Sequence, residues 1–244
     1  MIFSATDSSV AVASPFLAKA ALIFQYTHNS ASSLVAAFDD AKAKRGNPRG
    51  VLTDQEQDIL RAALVMCCAG LDAALKRSIR DCLANLLDNN ALVRDGFEKF
   101  IRKRISGEGD VLELPGRAKF LALVLADRAP RSRLIEEYIK ELTGDSLQSA
   151  EEVLRAMAAL GFDRKEIDIE VVRLKDIFGI RNRIIHELDI DLDAPKRKRR
   201  VRGQTDLLDN SDFVLSVAKK ILEGLDRKLC HYTAHRGQTR EVPT

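Results

Sequence analysis

Apolar residues recur three and four positions apart along most of this chain, and the breaks between those runs divide it into helices. The longest run opens at Thr53-Asp54-Gln55-Glu56, where a threonine followed three residues later by a glutamate has the spacing of a capping box. From there to about Leu87, at about 100° per residue, Leu60, Leu64, Cys67, Leu71, Leu75 and Cys82 form one stripe. Val65, Cys68, Ile79, Leu83 and Leu86 widen it. Asp72 points into that widened sector, where a carboxylate is costly unless it has a partner.

Shorter runs flank this one. Residues Met1 to Ser14 are expected to be loosely ordered, Pro15 to start a helix reaching about Tyr26, and Ser33 to Lys44 to form a second, ended by Gly46-Asn47-Pro48. Beyond Asn89-Asn90, a basic amphipathic helix is predicted over Ala91 to Ile105, with Phe97, Phe100 and Ile101 inward and Lys99, Arg102, Lys103 and Arg104 mostly outward. Ser106 to Pro115 reads as a loop, followed by helices over Arg117 to Ala126, Arg131 to Thr143 and Ser149 to Leu160. A late helix spans Asp168 to about Leu188, and a last one runs from about Ser211 to His231. With no run of strands and no repeat, the expected fold is all-α: an antiparallel helical bundle over 51–235 carrying an inserted helical segment at 107–161, preceded by a helical extension at 1–50 and followed by a flexible tail at 236–244.

Composition narrows the class. A chain of 244 residues that is 45% hydrophobic can bury one substantial core, and its 13 glycines and 6 prolines are few, as helices require. Cys67, Cys68, Cys82 and Cys230 form no CxxC pair, so reduced thiols in an intracellular protein are expected rather than zinc or disulfides. The apolar residues near the N-terminus lack a preceding basic region, and the uncharged run Ala20 to Phe38 is too polar to span a bilayer. A soluble, cytoplasmic protein with no membrane partner follows as the expectation. The net charge of +3 matters less than its distribution, because six of the seven residues from Lys196 to Arg202 are basic.

The chemistry concentrates in the late helix. Its apolar face comprises Leu174, Ile177, Phe178, Ile184, Ile185 and Leu188, and Arg181 falls within it. A guanidinium stays charged, so a buried one needs a carboxylate or phosphate, and Asp72 is the expected partner. Asn182 and His186, four apart, share the edge of that face. Arg181 and His186 diverge by roughly 140° on an ideal helix, so they converge through the long arginine side chain, a helix distortion, or a second copy related by a two-fold axis. RNA carries its own nucleophile, the 2′-hydroxyl, so a histidine and a cation suffice to cleave it without a metal. A packed arginine beside a surface histidine is the competing reading. The cluster Glu187, Asp189, Asp191 and Asp193 has the alternation of an exposed, solubilising segment rather than a metal cage. His28, His231 and His235 carry no supporting motif and are expected to be non-catalytic.

Arg181-Asn182-Arg183-Ile184-Ile185-His186 resembles the R-N-x-x-x-H form of the motif of HEPN-superfamily proteins. The surrounding Ile-Phe-Gly-Ile-Arg-Asn-Arg-Ile-Ile-His is most similar to stand-alone, RiboL-PSP-like members of prokaryotic toxin and defence systems. The resemblance covers roughly Thr53 to Tyr232. It implies a metal-independent endoribonuclease working as a homodimer in toxin-antitoxin or antiviral defence, with no cofactor. Arg181 would stabilise the scissile phosphate, His186 would be the acid/base, Asn182 would position the pair, and Asp72 would be the supporting polar residue of an earlier helix. An antitoxin or defence-system protein would be its partner. The alternative is a non-catalytic HEPN module that binds nucleotide, RNA or protein. Leu188 stands where members silenced by nucleotidyltransferases have a tyrosine, so that mode of control is not expected. Lys196, Arg197, Lys198, Arg199, Arg200 and Arg202 follow closely enough to hold RNA phosphates. With neither an aromatic base-reading platform nor a helix-turn-helix, no sequence preference is expected and duplex DNA is a poor candidate.

Overall fold

The computed structural model describes residues 9–45, 50–106, 118, 120, 121, 124–163, 165–194 and 197–238. A 3-10 turn at Pro15–Leu17 leads into α1 (Ala18–Lys44), followed by α2 (Asp54–Asn89), α3 (Ala91–Ser106), α4 (Pro130–Thr143), α5 (Ala150–Ala159), α6 (Val171–Glu187) and α7 (Gln204–Gln238). The protein is an all-α bundle, and among the described residues the β content is one antiparallel bridge, Ile190 to Arg199. Of the expected helix over 117–126, residues 118, 120, 121, 124 and 125 are helical. The Gly46-Asn47-Pro48 break, most of the 106–115 loop, the first eight residues and the tail from 239 lie outside the described residues.

Helix α2 is the axis of the bundle and packs against every other helix, most extensively α1 and then α7. Its start is the expected capping box: Thr53 Oγ1 accepts from the Glu56 N–H at 3.2 Å, and Glu56 Oε2 accepts from the Thr53 N–H at 2.8 Å. Leu60, Leu64, Cys67, Leu71, Leu75, Ile79, Cys82 and Leu83 are all buried, as the stripe required. Where α1 crosses α2, a Cβ on Gly70 would lie 2.1 Å from Thr27 Cγ2, so the two helices approach closely enough to require a glycine. Cys67, Cys68 and Cys82 are buried free thiols and Cys230 is a half-buried one; burial pushes Cys82 up to about 12.

Two boundaries differ from expectation. Instead of a helical pair, α1 is one helix of 27 residues. Polar residues in and beside the expected gap turn back onto the helix: Thr27 Oγ1 donates to the Ile23 carbonyl at 2.8 Å, Ser33 Oγ to the Asn29 carbonyl at 2.9 Å, and His28 is buried against Phe24. Similarly, α7 begins at Gln204 rather than Ser211. The Ser211 hydroxyl is buried inside the helix and donates to the Leu207 carbonyl at 2.7 Å instead of capping.

Candidate active site

Helix α6 is anchored by Leu174, Ile177 and Phe178, which are buried, while Ile180 and Ile184 pack at the core's edge. Arg181 is half-buried. Its Nη1 donates to Asn182 Oδ1 at 2.9 Å, and its Nε is buried with no hydrogen-bond partner. Asn182 in turn donates through Nδ2 to the Gln148 carbonyl at 3.3 Å. On α2, Cys68 lies close enough to feel the Arg181 charge: burial pushes that thiol up to about 12, and the guanidinium partly offsets the rise.

The expected Asp72–Arg181 ion pair does not form. Lys76, one turn further along α2, takes the Asp72 carboxylate at 3.0 Å, and the Leu147 N–H donates to Asp72 Oδ1 at 3.2 Å. Asp72 therefore meets the motif indirectly, since it holds Leu147 while the next residue, Gln148, holds Asn182. That loop is fixed from its other end by a second capping box, Ser149 with Glu152, at the start of α5.

His186 lies in the last turn of α6 and is exposed; among the described residues no hydrogen bond or ion pair joins it to Arg181. Exposed apolar side chains flank it along the chain: Ile185, Leu188 and Leu192. Immediately beyond, Leu188 and Asp189 both adopt left-handed backbone, with φ of 51° and 56°. Non-glycine residues take that conformation at a cost, so something must hold it.

What holds it is a buried charge network. Asp189, expected to be exposed and solubilising, is fully buried; Arg61 on α2, with a side chain only 2% exposed, donates Nε to Asp189 Oδ2 at 3.0 Å. Arg61 also donates to Asp58 Oδ1 at 3.1 Å, Gln57 Oε1 at 3.3 Å and the Arg200 carbonyl at 2.6 Å. Arg202 forks onto the other side of Asp189, Nε to Oδ2 at 2.9 Å and Nη2 to Oδ1 at 2.6 Å. Burial alone would raise the Asp189 carboxyl, but Arg202 and Arg61 together hold it below the usual carboxylate range. Two main-chain bonds, Asp191 N–H to the Lys198 carbonyl at 2.9 Å and Arg200 N–H to the Asp189 carbonyl at 2.8 Å, pair the two limbs of this segment.

The basic run is accordingly not a uniform phosphate-binding patch. Arg199 pairs with Asp58 at 2.7 Å, Arg200 with Asp191 at 3.1 Å, and Arg202 with Asp189. Hydrogen bonding to Arg199 is the main reason the Asp58 carboxyl sits below its ordinary value. Arg197 and Lys198 are exposed, whereas Lys196 lies outside the described residues. Neither Arg61 nor Arg183, whose Nε is also buried without a partner, stood out in the sequence. For Arg61 a signal existed, since it falls three and seven residues before Leu64 and Cys68 on the core face of α2.

Among the described residues no three His, Cys, Asp or Glu side chains are grouped to hold a metal, and no helix is long and apolar enough to cross a membrane. The sequence profile of the RiboL-PSP-HEPN family matches residues 29–227, which takes in α2 to α6 and most of α1 and α7. No curated protein and no solved structure matches the chain.

Proposed function

The chain belongs to the RiboL-PSP-HEPN family, and on that footing we propose that it is a metal-independent endoribonuclease of toxin-antitoxin or antiviral defence, cytoplasmic, with its site completed by a second copy. One observation carries the reading. Arg181 is a half-buried, permanently charged guanidinium with no carboxylate partner among the described residues, and Asp72, the carboxylate that would have neutralised it, is taken by Lys76. An anion supplied from outside completes it.

In this mechanism Arg181 binds a non-bridging oxygen of the scissile phosphate and stabilises the charge that develops there. His186, exposed at the helix end, takes the proton of the 2′-hydroxyl as its oxygen attacks phosphorus. An imidazolium returns a proton to the departing 5′-oxygen, leaving a 2′,3′-cyclic phosphate. Asn182, tied to Arg181 and to the Gln148 carbonyl, fixes the arginine. Because Arg181 and His186 are not joined within one chain, the cleft is built across a two-fold axis, with Ile185, Leu188 and Leu192 supplying apolar contact around it. Arg197 and Lys198 line its approach and hold flanking phosphates. An antitoxin or another defence-system protein would cover this face.

The test is cleavage of RNA by purified protein in excess EDTA. His186→Ala should lower the rate by about 10²- to 10⁴-fold, the usual worth of a general acid or base. Unchanged cleavage in that variant overturns the reading. A non-catalytic, RNA- or nucleotide-binding module is the second reading, favoured because among the described residues no side chain hydrogen-bonds the His186 ring within one chain. It predicts RNA binding without turnover.

A further inference from the structure

Away from the motif, helices α3, α4 and α5 surround a cleft of about 650 Å³, a volume within the range of small-molecule sites. Its interior is aromatic and apolar, lined by Phe100, Tyr138, Leu142 and Phe162, each more than nine-tenths buried. The rings of Phe100 and Tyr138 lie 4.9 Å apart. The Tyr138 ring is buried in this apolar wall, while its hydroxyl, with no hydrogen-bond partner among the described residues, is open to the cleft. The hydroxyl faces the cleft beside Gly96, where an added Cβ would stand 3.2 Å from it, so the missing side chain keeps that side open.

The rim supplies charge. Lys99, Lys103 and Arg155 line it, none in an ion pair among the described residues. Of the three carboxylates there, Glu141 is neutralised by Arg104 at 2.8 Å, leaving Asp95 and Asp163. Among the described residues, three free cations against two free carboxylates favour one negative charge over a polyanion. Burial, with Glu141 nearby, raises the Tyr138 phenol and keeps it protonated as a donor.

We propose that this cleft binds a small, flat, aromatic monoanion, its ring packed among Phe100, Tyr138 and Phe162 and its anionic group taken by the Tyr138 hydroxyl with Lys99 and Arg155. The site shares no residue with the α6 motif, so it stands or falls independently of RNA cleavage.

The probe is 8-anilinonaphthalene-1-sulfonate, titrated into the full chain by fluorescence and calorimetry, with the uncharged N-phenyl-1-naphthylamine as control. The expected result is one saturable site per chain, with the uncharged analogue held at least about tenfold more weakly. Tyr138→Phe keeps the ring and removes the donor, and should weaken sulfonate binding about tenfold, as loss of a hydrogen bond to a charged group does. Lys99→Gln with Arg155→Gln should weaken the sulfonate and leave the uncharged analogue unchanged. Gly96→Leu should block both ligands; if that variant loses the wild-type far-UV dichroism, Ala158→Leu serves instead. Non-saturable binding, equal affinity for the two probes, or wild-type affinity in Tyr138→Phe overturns the proposal.

Discussion

Replacing Arg61 with methionine isolates the buried charge network. The guanidinium is 2% exposed, its partner Asp189 is fully buried, and it also serves Asp58, Gln57 and the Arg200 carbonyl. Methionine fills most of the volume but leaves Asp189 with Arg202 alone. Removing one member of a buried pair costs about 3–5 kcal/mol, much of it the penalty of the stranded partner. Arg202 still holds both Asp189 oxygens, so the lower end, about 3 kcal/mol, applies. For a chain of this size that is a fall in Tm of roughly 6–12 °C. The assay is urea unfolding followed by far-UV dichroism of Arg61→Met, Asp189→Asn and the double variant. The double variant should lose less than the sum of the singles, by about 1–3 kcal/mol, because the two groups are in direct contact. A cost below about 1 kcal/mol for Arg61→Met, or strict additivity, refutes the reasoning.

Other outcomes follow from the same geometry. The folded Asp189 carboxyl lies below its unfolded value of ~3.9, so its contribution is complete above that value and is lost as pH falls through the lower folded one; acid unfolding of Asp189→Asn should show a shallower pH dependence there. Arg199→Ala breaks a pair whose Asp58 side is 48% exposed, so equilibrium unfolding should register less than about 1 kcal/mol. Arg197→Ala with Lys198→Ala should leave stability unchanged but reduce the salt dependence of single-stranded RNA binding by ~1.4 in log–log slope, read by filter binding at several ionic strengths. Gly70→Ala pushes a methyl into Thr27 and should destabilise by at least about 1–3 kcal/mol in the same urea assay, with Thr27→Ala in the same chain restoring part of the loss.

Legibility tracked the range of the interactions. The Thr53/Glu56 box and the α2 stripe depend on residues a few positions apart, and both stand where the spacing placed them. The R-N-x-x-x-H motif is equally local, and it pointed to the family that the profile match shows. Where a polar residue could choose between a local and a distant partner, or had only distant ones, the sequence misled. The gap expected between Tyr26 and Ser33 is helical, and Thr27 and Ser33 close hydrogen bonds within that one helix. Asp72 and Arg181 each looked in need of a countercharge, yet Lys76, four residues away, was the nearer claimant. Asp189 and Arg61 are 128 residues apart, and nothing in the alternating acids after His186 marks one of them as buried. The basic run looked like a free patch because its carboxylate partners come from α2 and from the opposite limb of its own loop.

The central claim is that His186 moves protons in a 2′-hydroxyl attack, and the chemistry of the new RNA ends tests it most directly. A 5′-labelled RNA cleaved in EDTA by the wild-type chain should carry 2′,3′-cyclic phosphate at the fragment's 3′ end, and His186→Ala should yield no such product above background. A 3′-hydroxyl end, or the same cyclic phosphate at wild-type rate from His186→Ala, contradicts the account.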